Sequence, residues 1–225
     1  MARRRATSGR GFTLIEAALA TIIIGVGVVA LVEAHQAFMR TNQWSSHAAA
    51  ATYLGNELRE FMRDLPRHDP ASGLWIDSGS GSPVLTGWGP EPGEVTILDF
   101  DDLDDFDGIS FAFDGSDGLA DGDLPGPVDA FGIVIPEIFA DGSIMLDPGG
   151  DEVPMIGWVQ TVIVEKVDPA NLSTPVADDA IEPPSGVNPG RAVDEYPVRV
   201  QVIVSYAGPF QAYAEEITRV SWIVP

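Results

Sequence analysis

The stretch GRGFTLIEAALATIIIGVGVVAL, residues 9–31, determines the first structural element of this chain. Between Phe12 and Val32 the only polar residues are Thr13, Glu16 and Thr21. A helix of this length is roughly 31 Å long, which is close to the thickness of the hydrocarbon core of a bilayer. The sequence therefore predicts a membrane-spanning helix that carries one carboxylate near its start.

Basic residues are concentrated just before this apolar stretch. The chain has 12 basic and 34 acidic residues, and four of the basic ones precede Phe12: Arg3, Arg4, Arg5 and Arg10. A short Arg-rich segment before an apolar run is typical of an export signal and stays on the cytoplasmic side. Three interpretations are open: a secretory signal cleaved near residues 32–34, an uncleaved membrane anchor, or a leader of residues 1–11 cleaved before the apolar run.

The residues at the junction carry a family resemblance. Gly11-Phe12-Thr13-Leu14-Ile15-Glu16 resembles the cleavage and methylation motif of type IV prepilins and of the pseudopilins of type II secretion. The resemblance implies that a prepilin peptidase cleaves after Gly11 and N-methylates Phe12. It also implies that mature subunits leave the bilayer and stack into a filament through their helices. Many major pilins carry a proline in this helix, whereas this chain has none before Pro66, which favours a pseudopilin or a minor pilin. The closing strand pair, which follows a long loop, is more similar to minor pilins and minor pseudopilins than to major ones.

Glu16 is the residue in the apolar stretch that requires an explanation. An ionisable residue inside a membrane usually serves a function, and its partner should be identifiable. The resemblance implies that Glu16 meets the N-terminal amine of a neighbouring subunit. Since an unpaired carboxylate in an apolar bundle is disfavoured, such a pair would fix the register of the subunits. The alternative is a carboxylate near the membrane surface, either neutral or solvated.

The helical pattern continues beyond the apolar stretch. Apolar residues recur at steps of three and four from Leu31 to Leu65, and Pro66 is the first proline of the chain. This spacing predicts one helix over residues 12–65, roughly 80 Å long, that ends before Pro66. Its first half would lie in the membrane or filament core, and its second half would pack against a globular head.

The remainder of the chain predicts strands. Val198–Tyr206 alternates apolar and polar residues, which is typical of a half-buried strand. Further strands are predicted over 95–100, 109–113, 131–139, 156–167 and 213–224. The predicted fold class is α+β, with an antiparallel sheet packed on the long helix, in agreement with the pilin resemblance. The predicted organisation is a leader (1–11), a transmembrane or filament-core half of the helix (12–33) and a head (34–225).

Two acidic segments form the remaining chemical signal, DFDDLDDFDG at 99–108 and DGSDGLADGD at 114–123. Loops dense in aspartate supply the oxygen ligands that calcium prefers. An EF-hand register with Gly108 at the turn places Leu103 at the first ligand position, so the segment does not match that motif. The hypothesis is a Ca²⁺ site, and the alternative is a solvated acidic loop. The proposed ligands are Asp101, Asp102, Asp104, Asp105 and Asp107.

Composition argues against several functional classes. The net charge of −22 disfavours binding to nucleic acid through a broad basic surface, and the absence of cysteine excludes thiol chemistry. The sequence contains no HExxH zinc motif, no phosphate-binding Gly-Lys-Ser/Thr loop and no G-x-S-x-G nucleophile elbow. We therefore expect a protein that is not an enzyme.

The expected function is that of a structural subunit of a type IV pilus or type II secretion filament. Its expected partners are the prepilin peptidase, other pilins or pseudopilins and the inner membrane. Its expected location is the inner membrane, with a single pass, the N-terminus in the cytoplasm and the head on the extracytoplasmic side, followed by the filament. The alternative is a membrane-anchored extracytoplasmic binding module or adhesin that does not polymerise.

Overall fold

The computed structural model describes residues 13–79, 81, 83–113, 123–209, 211 and 213–225. The chain divides into two compact units, Met1–Ser46 and His47–Pro225. One helix, α1 (Leu14–Phe61), contributes residues to both units. The second unit also contains all the strands of the described residues, and it is called the head below.

Helix α1 ends close to the predicted position. A 3-10 turn, Met62–Asp64, follows it, and Leu65 adopts an extended conformation. The next residue is Pro66, and proline disfavours helical geometry in the residue before it. The prediction of one long helix ending before Pro66 is therefore confirmed.

Eight strands occur in the described part of the head. The first two, β1 and β2, form a separate antiparallel hairpin. The other six form one sheet in the order β4-β3-β5-β7-β8, with β6 paired to β5. The strands are β1 (Trp75–Asp77), β2 (Val84–Thr86), β3 (Ser110–Ala112), β4 (Leu124–Pro125), β5 (Trp158–Asp168), β6 (Asn171–Pro175), β7 (Val198–Tyr206) and β8 (Glu215–Val224).

The α+β fold class is confirmed, but the sheet is not purely antiparallel. The short strands β3 and β4 pair in parallel, with Phe111 opposite Leu124. The remaining pairs, including β5 with β7 and β7 with β8, are antiparallel. A parallel pair needs a connection that reverses the chain twice. Part of that connection is the acidic segment 114–122, which lies outside the described residues.

Strand β7 lies between β5 and β8 in the sheet and has the predicted bounds. Its alternate residues Val198, Val200, Val202 and Val204 are all completely buried. The residues between them are partly exposed, as expected for a strand with one face on the core. The alternation in the sequence therefore specified both the strand and the face that it buries.

Helix α1 approaches the sheet closely at Gly55. Ala51, Leu54 and Leu58 of the helix are buried in the core. A Cβ atom at Gly55 would lie 2.8 Å from Cγ2 of Val220 in β8, closer than real Cβ atoms come to other atoms. The missing side chain therefore permits the helix to lie against β7 and β8.

Gln160 of β5 is a buried polar side chain that connects three parts of the head. Its Nε2 donates hydrogen bonds to the carbonyl oxygens of Leu54 (2.8 Å) and Val128 (3.1 Å). Its Oε1 accepts a hydrogen bond of 2.8 Å from the Val128 backbone N–H. Both ends of the amide are paired, as a buried polar group requires.

Two of the predicted strands are wrong. Residues 95–100 form a turn in which Asp99 Oδ2 accepts hydrogen bonds from the backbone N–H groups of Val95 and Thr96. Residues 131–139 form only isolated bridges, and Asp129 Oδ1 accepts from the N–H groups of Phe131 and Ile133. Aspartate side chains compete for backbone donors and favour turns over strands. Besides β7, the predicted strands 109–113, 156–167 and 213–224 are present as β3, β5 and β8, with shortened or shifted ends.

Candidate functional site

The N-terminus of α1 holds the first set of candidate residues. Gly11 and Phe12, where cleavage and methylation are predicted, lie outside the described residues. Thr13 and Glu16 are described, and they form a reciprocal cap at the start of the helix. Glu16 Oε2 accepts hydrogen bonds from the Thr13 backbone N–H and from Thr13 Oγ1, both at 2.9 Å. The Glu16 backbone N–H donates to Thr13 Oγ1 at 3.3 Å.

This cap is a role for Glu16 that the sequence analysis missed. A Thr followed three residues later by Glu is the capping-box pattern, and the signal was present in the residues Thr13-Leu14-Ile15-Glu16. The cap satisfies backbone donors that a helix start leaves unpaired. Glu16 therefore has a partner within its own chain, whether or not it also meets a neighbouring subunit.

The apolar part of α1 is long enough to span a membrane. A window of 18 residues in this helix has a mean hydropathy of 2.5, and none of it is buried within the chain. Large side chains such as Leu14, Ile22 and Leu31 are at least 65% exposed. Exposed apolar surface of this extent in water is unfavourable. Length and composition thus make α1 compatible with a single-pass membrane anchor.

The acidic segment 99–108 provides the second candidate site, and its apolar residues explain its position. Phe100, Leu103 and Phe106 recur every three residues, and all three are buried in the core of the head. Phe106 packs edge-to-face against Phe61 and Phe100, with ring centroids 6.1 and 5.0 Å apart. Because these three side chains pack in the core, the aspartates next to them in the chain also lie in the interior. Asp102, Asp104 and Asp105 are completely buried.

Asp102 and Asp105 hold the backbone of this segment in shape. Asp102 Oδ1 accepts from the N–H groups of Asp104 (2.8 Å) and Asp105 (3.2 Å), at the start of the 3-10 turn Asp104–Phe106. Asp105 Oδ2 accepts in return from the N–H groups of Asp101 (3.0 Å) and Asp102 (3.2 Å). One oxygen of each carboxyl group is thereby fixed by backbone donors.

The other oxygen of each carboxyl group has no donor among the described residues. Within the part of the chain that the structure describes, Asp102 Oδ2 and Asp105 Oδ1 are buried without a hydrogen-bond partner, and so is Glu91 Oε2 from the preceding loop. One carboxylate oxygen from each of these three residues lies within 4.8 Å of those of the other two. A second such group, Glu94, Asp101 and Asp105, shares Asp105 with the first. We call these five residues the carboxylate cluster.

Burial raises the pKa values of the inner carboxyl groups. The pKa of Asp102 rises to about 9, first through desolvation and then through the charges of Asp104 and Asp105. Desolvation likewise raises the pKa of Asp105 to about 6. The pKa of Glu91 rises to about 7 through desolvation and through contact with the Glu94 carboxyl group, since two carboxylates can share a hydrogen bond only by holding a proton.

Asp104 and Asp107, which the sequence analysis placed among the calcium ligands, contact other groups. Asp104 Oδ1 accepts from the Gly89 N–H at 2.8 Å, and Asp104 Oδ2 contacts Nδ1 of His68. Asp107 accepts from the Val164 N–H at 2.9 Å and from Nε1 of Trp88 at 3.3 Å. Asp101, Asp102 and Asp105 of the predicted set are brought together, whereas these two are not part of the cluster.

Glu91 and Glu94 are members of the cluster that the sequence analysis missed. They lie in a loop rich in proline and glycine, ten or so residues before the aspartates. Glu94 Oε2 accepts a hydrogen bond of 2.8 Å from the Glu91 backbone N–H. Sequence spacing gives no indication that this turn folds onto the acidic segment.

The second acidic segment is described only at its end. Asp123 accepts hydrogen bonds from the backbone N–H (2.9 Å) and Oγ (2.7 Å) of Ser110. These bonds lower the pKa of Asp123, the side-chain bond first. Residues 114–122 lie outside the described residues.

Comparison with known proteins finds no matching family model, no matching curated protein and no matching solved structure. The resemblance at residues 11–16 therefore stays a prediction.

Proposed function

We propose that this chain is a non-catalytic, pilin-like structural subunit that is anchored in the membrane by α1 and assembles into a filament through that helix. The observation that carries the proposal is the contrast along α1. Its apolar window is wholly exposed, whereas Ala51, Leu54 and Leu58 are buried in the head. A helix that is apolar and unburied in its own chain needs a lipid or protein environment to cover it.

The residues before α1 support the same proposal. The basic leader, Gly11, Phe12 and Glu16 stand in the order that the prepilin motif requires. The proposed partners are a prepilin peptidase, the inner membrane and the α1 helices of other pilin or pseudopilin subunits. The leader would lie in the cytoplasm and the head outside it.

Processing gives the first prediction. Replacing Gly11 with leucine places a bulky side chain at the cleavage point, so Gly11→Leu should retain residues 1–11 and stay unmethylated in the membrane. The measurement is the N-terminal mass of the purified chain. The matched control is Gly9→Leu, the same change two residues upstream, which should be cleaved normally. Normal cleavage of Gly11→Leu would rule out this processing step.

A second function is favoured by one feature of the head. A cavity of about 330 Å³ is lined by Val95, Leu98 and Val134, among others, and the first two side chains are about 70% exposed. Apolar side chains at such a surface are typical of a binding site. The alternative is therefore a membrane-anchored binding module or adhesin that does not polymerise.

The two functions are distinguished by where the wild-type protein is found. Filaments sheared from intact cells should contain the chain with an N-terminus at methylated Phe12. A chain that keeps residues 1–11 and remains in the membrane fraction, in cells that make filaments of other subunits, would favour the anchored binding module.

A further inference from the structure

We propose that Glu91, Asp102 and Asp105 form a binding site for Ca²⁺ in the head, with Glu94 and Asp101 supplying further oxygen ligands from its edge. The site is independent of the proposed function, because it involves no residue of the leader or of the apolar part of α1. It differs from the calcium hypothesis of the sequence analysis in its ligands, since it includes two glutamates and excludes Asp104 and Asp107.

Unpaired oxygens are the first argument. Asp102 and Asp105 are completely buried, and each keeps one side-chain oxygen that no described residue pairs by a hydrogen bond. Glu91 adds a third such oxygen. Buried polar atoms are nearly always paired, and an unpaired one disfavours the folded state. Three of them in one group of side chains indicate a ligand that accepts electron pairs from all three.

The spacing of the oxygens fits a single ion. Calcium binds oxygen ligands at 2.3–2.6 Å, so two ligands on opposite sides of the ion are separated by about 5 Å. The three carboxyl groups each offer an oxygen within 4.8 Å of the others. Oxygens at this spacing are close enough together to contact one calcium ion.

The local charge balance is the second argument. The ion pairs in the described residues join Arg63 to Glu60, His68 to Asp104, Arg199 to Glu165 and Arg219 to Glu216. None of these pairs includes a member of the carboxylate cluster. Buried carboxylates that lack basic partners must either bind a cation or take up protons. Cation binding and protonation are therefore the two competing states of the cluster.

The chemistry of the ligands favours calcium over other metals. All five members of the cluster are carboxylates, and hard oxygen ligands suit calcium and magnesium, whereas zinc prefers histidine and cysteine. Magnesium is usually held by one or two carboxylates and keeps several waters. The five carboxylates, with Asp105 common to both groups, approach the larger ligand number that calcium requires.

The site is also preorganised. The backbone N–H groups that bind Asp102 Oδ1 and Asp105 Oδ2 fix the direction of both carboxyl groups. Such outer hydrogen bonds orient metal ligands and strengthen binding. An asparagine at either position keeps the oxygen that the backbone binds and replaces the other with an amide nitrogen. Asp102→Asn and Asp105→Asn are therefore suitable tests, because the local fold is preserved.

The experiment uses the full chain, purified in detergent, stripped with a chelator and dialysed. Calcium chloride is titrated by calorimetry, and thermal unfolding is followed in calcium, in magnesium at equal ionic strength and in chelator. Wild type should bind calcium and melt about 5–10 °C higher at a hundredfold excess over its Kd. Magnesium should give a smaller rise. Asp102→Asn and Glu91→Gln should weaken calcium binding at least about tenfold. Changing a residue that only orients a metal ligand already costs about that much, and these two residues are proposed as the ligands themselves.

The variants also separate a cation site from a protonated cluster. Asp102→Asn should melt at or above the wild-type temperature in chelator and below it in calcium. The matched control is Asp64→Asn, which removes one exposed carboxylate and should leave the calcium response unchanged. Equal melting of wild type in calcium, magnesium and chelator, or an unchanged calcium response in both Asp102→Asn and Glu91→Gln, would overturn the proposal.

Discussion

At the scale of single residues, Glu16 combines a local contact with a proposed partner in another subunit. Its side chain caps α1 through Thr13, and its negative charge is the feature that the pilin resemblance connects to a neighbouring N-terminal amine. A cap requires a hydrogen-bond acceptor, and glutamine serves at this position as well as glutamate does. Pairing with an amine requires a charge. The two roles therefore respond differently to substitution.

Glutamine and leucine at position 16 distinguish these roles. If the charge directs assembly, both Glu16→Gln and Glu16→Leu should be cleaved and membrane-inserted but strongly depleted from filaments. The measurement is the ratio of variant to wild-type subunit in sheared filaments from cells that express both. Incorporation of Glu16→Gln at the wild-type level, with loss of Glu16→Leu alone, would show that only the cap matters.

At the scale of elements, the contact of α1 with the sheet depends on Gly55. Alanine is about 1 kcal/mol better than glycine inside a helix, but the added Cβ would meet Val220 at 2.8 Å. Val220 is β-branched, so moving this methyl group takes its side chain out of its preferred χ1 rotamer or shifts its backbone. Overpacking of this kind costs about 1–3 kcal/mol. Gly55→Ala should therefore destabilise the head by up to about 2 kcal/mol.

The measurement for Gly55→Ala is the denaturant midpoint of the full chain in detergent. Gly25→Ala in the same helix is the matched control, since no described atom beyond the adjacent turns of the helix lies within 4 Å of a Cβ at that position. We expect it to leave the unfolding of the head unchanged. A Gly55→Ala midpoint equal to or above that of wild type would show that the sheet accommodates the methyl group.

Elements with a sustained pattern were predictable from the sequence, whereas turns were not. The three- and four-residue spacing in α1 and the strict alternation of β7 each repeat over many residues, and both elements were confirmed. Residues 95–100 are apolar enough for a strand, but Asp99 binds the backbone donors that a strand would use. In such a short segment, the hydrogen bonds of one side chain determine whether a turn or a strand forms. The periodicity of apolar residues does not reveal those bonds.

The same limit applies to the carboxylate cluster. The aspartates of 101–107 were identified from their density, and three of them belong to the cluster. Asp104 is instead bonded to His68 and Gly89. Asp107 is bonded to Trp88 and Val164. All four partners lie in other segments of the chain. Glu91 and Glu94 belong to the cluster because their loop folds against the acidic segment. A ligand set assembled from two loops is therefore not readable from either loop alone.

At the scale of the whole molecule, the cluster makes stability depend on pH. The pKa values of Asp105, Glu91 and Asp102, at about 6, 7 and 9, lie above those of unfolded carboxyl groups at about 4. The folded chain thus binds more protons than the unfolded chain in this range. Stability falls as pH rises wherever the folded state binds more protons.

We therefore expect the chain in chelator to melt several degrees lower at pH 7.5 than at pH 5.5. The carboxyl groups with lowered pKa values, such as Asp69 and Asp141, are ionised throughout this range in both states and do not contribute. Calcium should flatten the dependence, because it replaces the protons in the folded state. Asp102→Asn should flatten it in chelator as well. A melting temperature in chelator that rises between pH 5.5 and pH 7.5 would contradict this account.

Lys166 is the one lysine of the chain, and its side chain is completely buried, with Nζ donating to the backbone carbonyl of Asp178. Its ammonium group lies 5.3 Å from the ring centroid of Trp88. Desolvation lowers the pKa of Lys166 to about 8, so a large share of the amine is nucleophilic in mild base, yet the fold shields it from reagents. An amine-directed fluorescent tag applied to the native protein is therefore confined to the α-amino group. A second tag on a chain therefore shows that Lys166 has become exposed. The number of tags per chain measures unfolding of the intact protein in lipid or detergent.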